Sequence, residues 1–120
     1  MNIFAKVLIA FVALEHIYIL WLEMFAWTTA GKRTFKSMSA DMFEKTKGLA
    51  ANQGLYNGFL SAGLIWSLII TDETWAENVA IFFLGCVLVA GLYGAYSVQR
   101  SILFVQAVPA ALALAAVLIF

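Results

Sequence analysis

The sequence predicts an all-α integral membrane protein, an up-and-down bundle of four helices in one domain over residues 1–120, and three observations support that class. The chain is 64% hydrophobic and only 12% charged, and its mean hydropathy is +0.94, far from the quarter-charged composition of water-soluble domains. Its apolar residues gather into four runs, residues 3–27, 49–70, 77–97 and 102–120. Each comes near the roughly 20 residues that a helix needs to cross about 30 Å of hydrocarbon. The connections between the runs are short and hold no repeat, linker or low-complexity tract. Because an unpaired backbone amide is costly in lipid, each run is expected to be helical throughout.

The first run ends on Thr28-Thr29-Ala30, which imitates a signal-cleavage site. The run is too long for a signal, its early cation is Lys6 alone, and Glu15, His16 and Glu23 interrupt it, so it reads as a retained helix. Residues 31–47 are markedly polar, with Lys32, Arg33, Lys36, Lys45 and Lys47 against Asp41 and Glu44. Phe35, Met38 and Met42 recur there at helical spacing, Ser39 can cap a helix start and Gly48 can end the turn, which predicts a short amphipathic surface helix. After the second run, Thr74-x-x-Glu77 reads as a capping box that opens the third helix. Gln99, Arg100 and Ser101 leave room only for a tight hairpin between the last two helices. Pro109 is expected to kink the fourth without ending it.

Four crossings put the first and third connections on one side, with every Lys and Arg except Lys6. The positive-inside bias assigns that side to the cytoplasm and leaves both termini outside. Trp27 on the inner side and Trp75 on the outer side fit interfacial belts. The net charge is zero and no basic stripe carries interleaved aromatics, which excludes nucleic acid as a partner. Cys86, the single cysteine, cannot form an intrachain disulfide and reads as a small core filler.

Ionisable groups inside a span cost about 2.5–3.5 kcal/mol each for the least favourable types, so they are expected to face the bundle interior. Glu15, His16 and Glu23 share one broad stripe of the first helix. The second helix opens with Asn52, Gln53, Tyr56 and Asn57, the third delivers Tyr93, Tyr96, Gln99 and Arg100 to the same depth, and the fourth adds Gln106. Nearly all intramembrane polarity therefore converges on the cytoplasmic half. This predicts a polar pocket closed on the outer side and open or gated toward the cytoplasm, with Arg100 as counter-ion of Glu23. Each group also has a structural reading: Glu23 and Arg100 as an interfacial salt bridge, the Asn and Gln side chains as interhelical hydrogen-bond glue. Gly54, Gly58 and Ala62 form a small-residue packing face, and Gly91 and Gly94 thin the third helix. With one His and a distant Cys, and with neighbouring residues diverging by about 100° on a helix, no metal site is expected. No phosphate loop, nucleophile elbow or zinc-protease motif is present, and no cofactor is expected.

The early Glu15-His16 pair, Glu23, and the stretch Asn52-Gln-Gly-Leu-Tyr56-Asn57-Gly-Phe-Leu60 together resemble a bacterial family of small four-helix membrane proteins, the domain of unknown function 1304 family. The likeness covers essentially the whole chain. It implies a bacterial plasma-membrane location and a single compact bundle, and it brings no activity with it.

Three functions fit these residues. The first is a module that binds or transports a small amphipathic or cationic molecule, with Glu15 and His16 as a proton-linked pair, since His titrates near neutrality. A transporter this small is expected to pair with a second copy through the Gly54/Gly58 face. The second is a membrane enzyme of isomerase or hydratase type acting on a lipid-soluble substrate. There His16 would be the general acid or base, Glu15 or Glu23 its partner, and Tyr56 and Asn57 would orient the substrate. The third is an accessory structural subunit with no chemistry at all, and membrane lipid is an expected partner in every case.

Overall fold

A computed structural model describes residues 1–120. The protein is all-α, with no strand. The first long helix, α1, covers Ile3–Phe25 and starts where the Asn2 side chain accepts the Ala5 N–H at 2.9 Å, occupying one of the donors that a first helical turn leaves free. Two short helices follow, α2 (Ala30–Thr34) and α3 (Ala40–Lys45). The predicted surface helix is thus two pieces. Ser39 precedes α3 without a side-chain cap bond, and Gly48 ends nothing, because α4 begins at Lys47 and runs to Ile69.

The connection that follows α4 differs from expectation at its cap. Helix α5 covers Glu73–Ser97, and its N-cap is Asp72, whose carboxylate accepts the Trp75 N–H at 3.0 Å. Thr74 lies inside the helix, so the expected capping box does not form. The last helix, α6, is Val108–Ile119, and it is entered through a π-helical turn at Leu103–Ala107. Pro109 explains that turn: it has no N–H for the Val105 carbonyl, and its ring presses on that carbonyl, so the backbone upstream widens. The Val108 N–H reaches back to the Leu103 oxygen instead.

The long helices lie side by side, α1 against α4 and α6, and α5 against α4 and α6, in a body of 48 × 23 × 17 Å. One half of this body is solid. Ala5, Ile9, Val12 and Ala13 of α1, Leu64 of α4, Ala80, Leu84 and Val87 of α5, and Ala110, Ala113, Ala116 and Val117 of α6 form a single buried cluster. The alanines of α6 recur at every third residue, which lets its backbone approach closely. Ser61, buried, donates its hydroxyl to the Ala13 carbonyl at 2.8 Å and ties α4 to α1 in this half. The N-terminal ammonium pairs with Glu73 at 2.6 Å and closes the end of that half.

Glycines set the other contacts. A methyl at Gly54 would come within 2.7 Å of Met24 and 3.1 Å of Glu23, and one at Gly58 within 2.7 Å of Leu20. The Gly54/Gly58 face is therefore filled by α1 of the same chain, and it is not free for a second copy. At Gly91 a methyl would meet the Ala107 backbone nitrogen at 2.7 Å, so α5 and the π turn touch backbone to backbone. At Gly63 it would overlap the Phe83 ring, where α4 meets α5.

Candidate functional site

The other half of the body is hollow. A cavity of about 690 Å³ opens where α1, α4, the C-terminal part of α5 and the π turn draw apart. Its wall from α1 is Glu15, Tyr18, Ile19, Leu22 and Glu23; α4 supplies Gln53, Tyr56, Asn57 and Leu60; Gln99 and Gln106 come from the last connection and the π turn. The volume suits a drug-sized molecule.

Glu23 is buried and accepts a hydrogen bond from the Asn57 side-chain amide at 2.6 Å. The same amide nitrogen leans on the Gln53 carbonyl at 3.4 Å, one helical turn back. This contact is the convergence that the sequence predicts between the first and second helices. The expected ion pair with Arg100 does not form: Arg100 is exposed and lies outside the cavity wall, and the only ion pairs in the molecule are those of Met1 with Glu73 and Glu77 and of Lys45 with Asp41. Arg100 follows the end of α5, in a connection at the polar end, where its guanidinium reaches solvent at no cost.

Glu15 lines the cavity, and its Oε1 atom is buried without any hydrogen-bond partner. His16 points elsewhere, as the angle between successive helical residues requires. Its ring is wholly buried and absent from the cavity wall. The Nδ1–H donates to the Val12 carbonyl at 2.8 Å; a carbonyl only accepts, so the free lone pair sits on Nε2. That lone pair takes the Gln106 side-chain amide at 3.0 Å. Both ring nitrogens are engaged, and Glu15 and His16 share no hydrogen bond.

Asn52 is exposed on the outside of α4 and does not line the cavity. Tyr93 and Tyr96 also lie outside it, 69% and 87% exposed. They fall on the outer face of α5, because the inner face there is occupied by Gly91 and Gly94 packing on Ala107 and Ile102.

A wall that sequence reasoning missed stands at the polar end. Trp27, Thr34, Phe35, Ser37, Met38 and Thr46 line the cavity from the first connection. Trp27 stacks obliquely on Phe35 and on buried Phe43, with ring centroids 5.4 and 5.0 Å apart, and its indole N–H donates to the Thr46 hydroxyl at 3.0 Å. Trp27 is thus a cap residue more than an interfacial one. The helical spacing of Phe35 and Met38 was the available signal, and it marked a face turned inward over the cavity.

Residues 10–118 match the family described as "Protein of unknown function (DUF1304)". The chain belongs to that family. An uncharacterized protein, YpaA, of Lactococcus lactis subsp. lactis (strain IL1403) is 34% identical over 116 residues, covering 95% of this chain and 96% of that protein. The stretch matched to the DUF1304 family includes Glu15, His16, Glu23, Asn57 and Gln106, and so both the hydrogen-bonded core of the hollow half and its unpartnered carboxyl. No solved structure matches the chain significantly.

Proposed function

We propose that this DUF1304 protein is a multi-pass protein of the bacterial plasma membrane, an up-and-down four-helix bundle whose hollow half binds a small amphipathic cation, for retention or transport. Support for the membrane comes first from burial. Only 29 of 120 residues are buried in a chain that is 64% hydrophobic, and side chains such as Ile3, Phe25, Phe82, Leu118 and Phe120 face outward. Helices α1 and α5, with mean hydropathies of 2.0 and 2.1, are long and apolar enough to cross a bilayer. The more polar α4 and the shorter α6 would cross by packing on them, α4 turning Asn57 and Ser61 toward α1. Every Lys and Arg but Lys6 lies at the hollow end, which favours that end in the cytoplasm and the termini outside.

The observation that carries the ligand class is Glu15. Its Oε1 is buried and unpartnered in a largely apolar cavity, and no cationic side chain of the protein lies within ion-pair distance of either Glu15 or Glu23. Buried polar groups nearly always find partners, and intramembrane carboxylates mark ligand or ion paths. A lipophilic ammonium or phosphonium supplies both the missing charge and the apolar body. Acid-base catalysis by His16 has no such support, since its nitrogens are committed to Val12 and Gln106.

Equilibrium binding of tetraphenylphosphonium to the protein in lipid nanodiscs tests this reading. Glu15→Gln should weaken binding by roughly thirtyfold or more, the ~2 kcal/mol or greater that loss of one member of a buried charge pair costs, while the helical circular dichroism stays as in wild type. Equal affinity in the two proteins would contradict it.

A further inference from the structure

The route into the cavity follows from how its walls are fastened. At the polar end Trp27 and Phe35 line the cavity, and Trp27 packs on Phe43 and is latched to Thr46. Three of the four seams between long helices are bolted within the hollow half. The α1–α4 seam is held by the Gly54 contact and the Glu23–Asn57 bond, the seam of α1 with the π turn that enters α6 by the Gln106–His16 bond, and that of α5 with the same turn by the backbone contact of Gly91 with Ala107.

The α4–α5 seam is different. Its tight contact, Gly63 against the Phe83 ring, lies in the solid half, and no hydrogen bond joins α4 to α5. Where the two helices part, Leu49 (74% exposed), Tyr56 (56% exposed) and Ala90 line the cavity and are exposed; Tyr18 and Val105, each 53% exposed, do the same where α1 faces the π turn, but there the Gln106–His16 bond spans the gap. The outer surface beside this gap carries Phe59, Val89 and Leu92, all exposed and apolar. Water has little to gain there; hydrocarbon tails do.

The geometry points to a lateral portal between α4 and α5, through which a bilayer-dissolved amphiphile with a cationic head enters sideways and brings that head to Glu15. This inference rests on the binding reading above and deepens it: the ligand comes from the lipid phase, not past the polar end. Ala90 is the natural place to test the portal, because its small exposed side chain lines the gap and a large one there would fill it.

The probe is an octyl-tailed styrylpyridinium dye with the protein in nanodiscs, read by fluorescence during binding and during chase with unlabelled tetraphenylphosphonium. Ala90→Trp should slow both association and release by roughly tenfold or more, while Lys36→Trp, exposed at the polar end and outside the cavity wall, changes either rate by less than about twofold. Slowing confined to Lys36→Trp, or Ala90→Trp rates equal to wild type, overturns the lateral portal and leaves the pocket standing. Absence of dye and phosphonium binding in wild type overturns the pocket, and the portal with it.

Discussion

Glu23 and Asn57 form a buried polar pair, 34 residues apart in sequence and joined by one 2.6 Å hydrogen bond. Removing one member of such a pair strands the other in an apolar setting, at a cost of about 1–3 kcal/mol, whereas removing both is close to neutral. Asn57→Leu should therefore lower the thermal unfolding midpoint in detergent, and Glu23→Leu/Asn57→Leu should recover most of the loss. A double variant less stable than the single would contradict the pairing. The meeting of these residues is legible in the sequence, because antiparallel helices put position 23 and positions 52–57 at one depth. The partner of Glu23 is not: a neutral amide in the interior wins over Arg100, which solvates freely in its connection. The place of His16 escapes the sequence for a related reason. Its adjacency to Glu15 implies a pair, yet the helix turns them apart and gives His16 to Gln106, a contact 90 residues distant that no local pattern announces.

At the scale of elements, the π turn and the glycines decide where the helices touch. Gly91→Ala would drive a methyl onto the Ala107 backbone, which has no side-chain freedom to yield, and should cost about 1–3 kcal/mol in thermal or denaturant unfolding. Gly85, where an added methyl would find no other atom within 4 Å, should accept Ala with little change. Pro109→Ala restores an N–H to the Val105 carbonyl, so the turn should tighten to an α-helix and rotate Gln106 from His16 by about 100°. The ¹⁵N resonance of His16 Nε2 reports that rotation, and an unchanged resonance would show that Pro109 does not hold the turn open. A disturbance at Pro109 and a close-packing role for the glycines can both be read from the sequence. That Gly54 and Gly58 meet α1 and not another molecule cannot, since small residues license close approach without naming the partner. The Thr74 capping box fails because the helix starts two residues earlier: Asp72 caps it through the Trp75 amide and leaves Thr74 inside the first turn.

The whole molecule has a solid half and a hollow half, and its cations, apart from Lys6 and the N-terminal ammonium, sit at the hollow end. If that end faces the cytoplasm, a cysteine at Lys36 and one at Asp72 should react with an impermeant maleimide from opposite faces of oriented vesicles; labelling of both from one face would refute the four-crossing arrangement. The level of the hollow half is legible in the sequence, because polar side chains of the first, second and fourth runs fall there; that its wall is mostly apolar, with Tyr93 and Tyr96 turned outward, is not. Nor are its wall at the polar end and its sideways gap, since both depend on how the first connection folds back and on how far α4 and α5 diverge, which composition does not record. The proposed activity turns on a carboxyl group that meets lipid-phase ligands inside the cavity. Dicyclohexylcarbodiimide, an apolar reagent for buried carboxyls, followed by mass spectrometry of the protein in nanodiscs, measures that most directly. The adduct should map to Glu15, vanish in Glu15→Gln, and be suppressed by prior addition of tetraphenylphosphonium; an unmodified Glu15, or an adduct that phosphonium leaves unchanged, would contradict the proposed site.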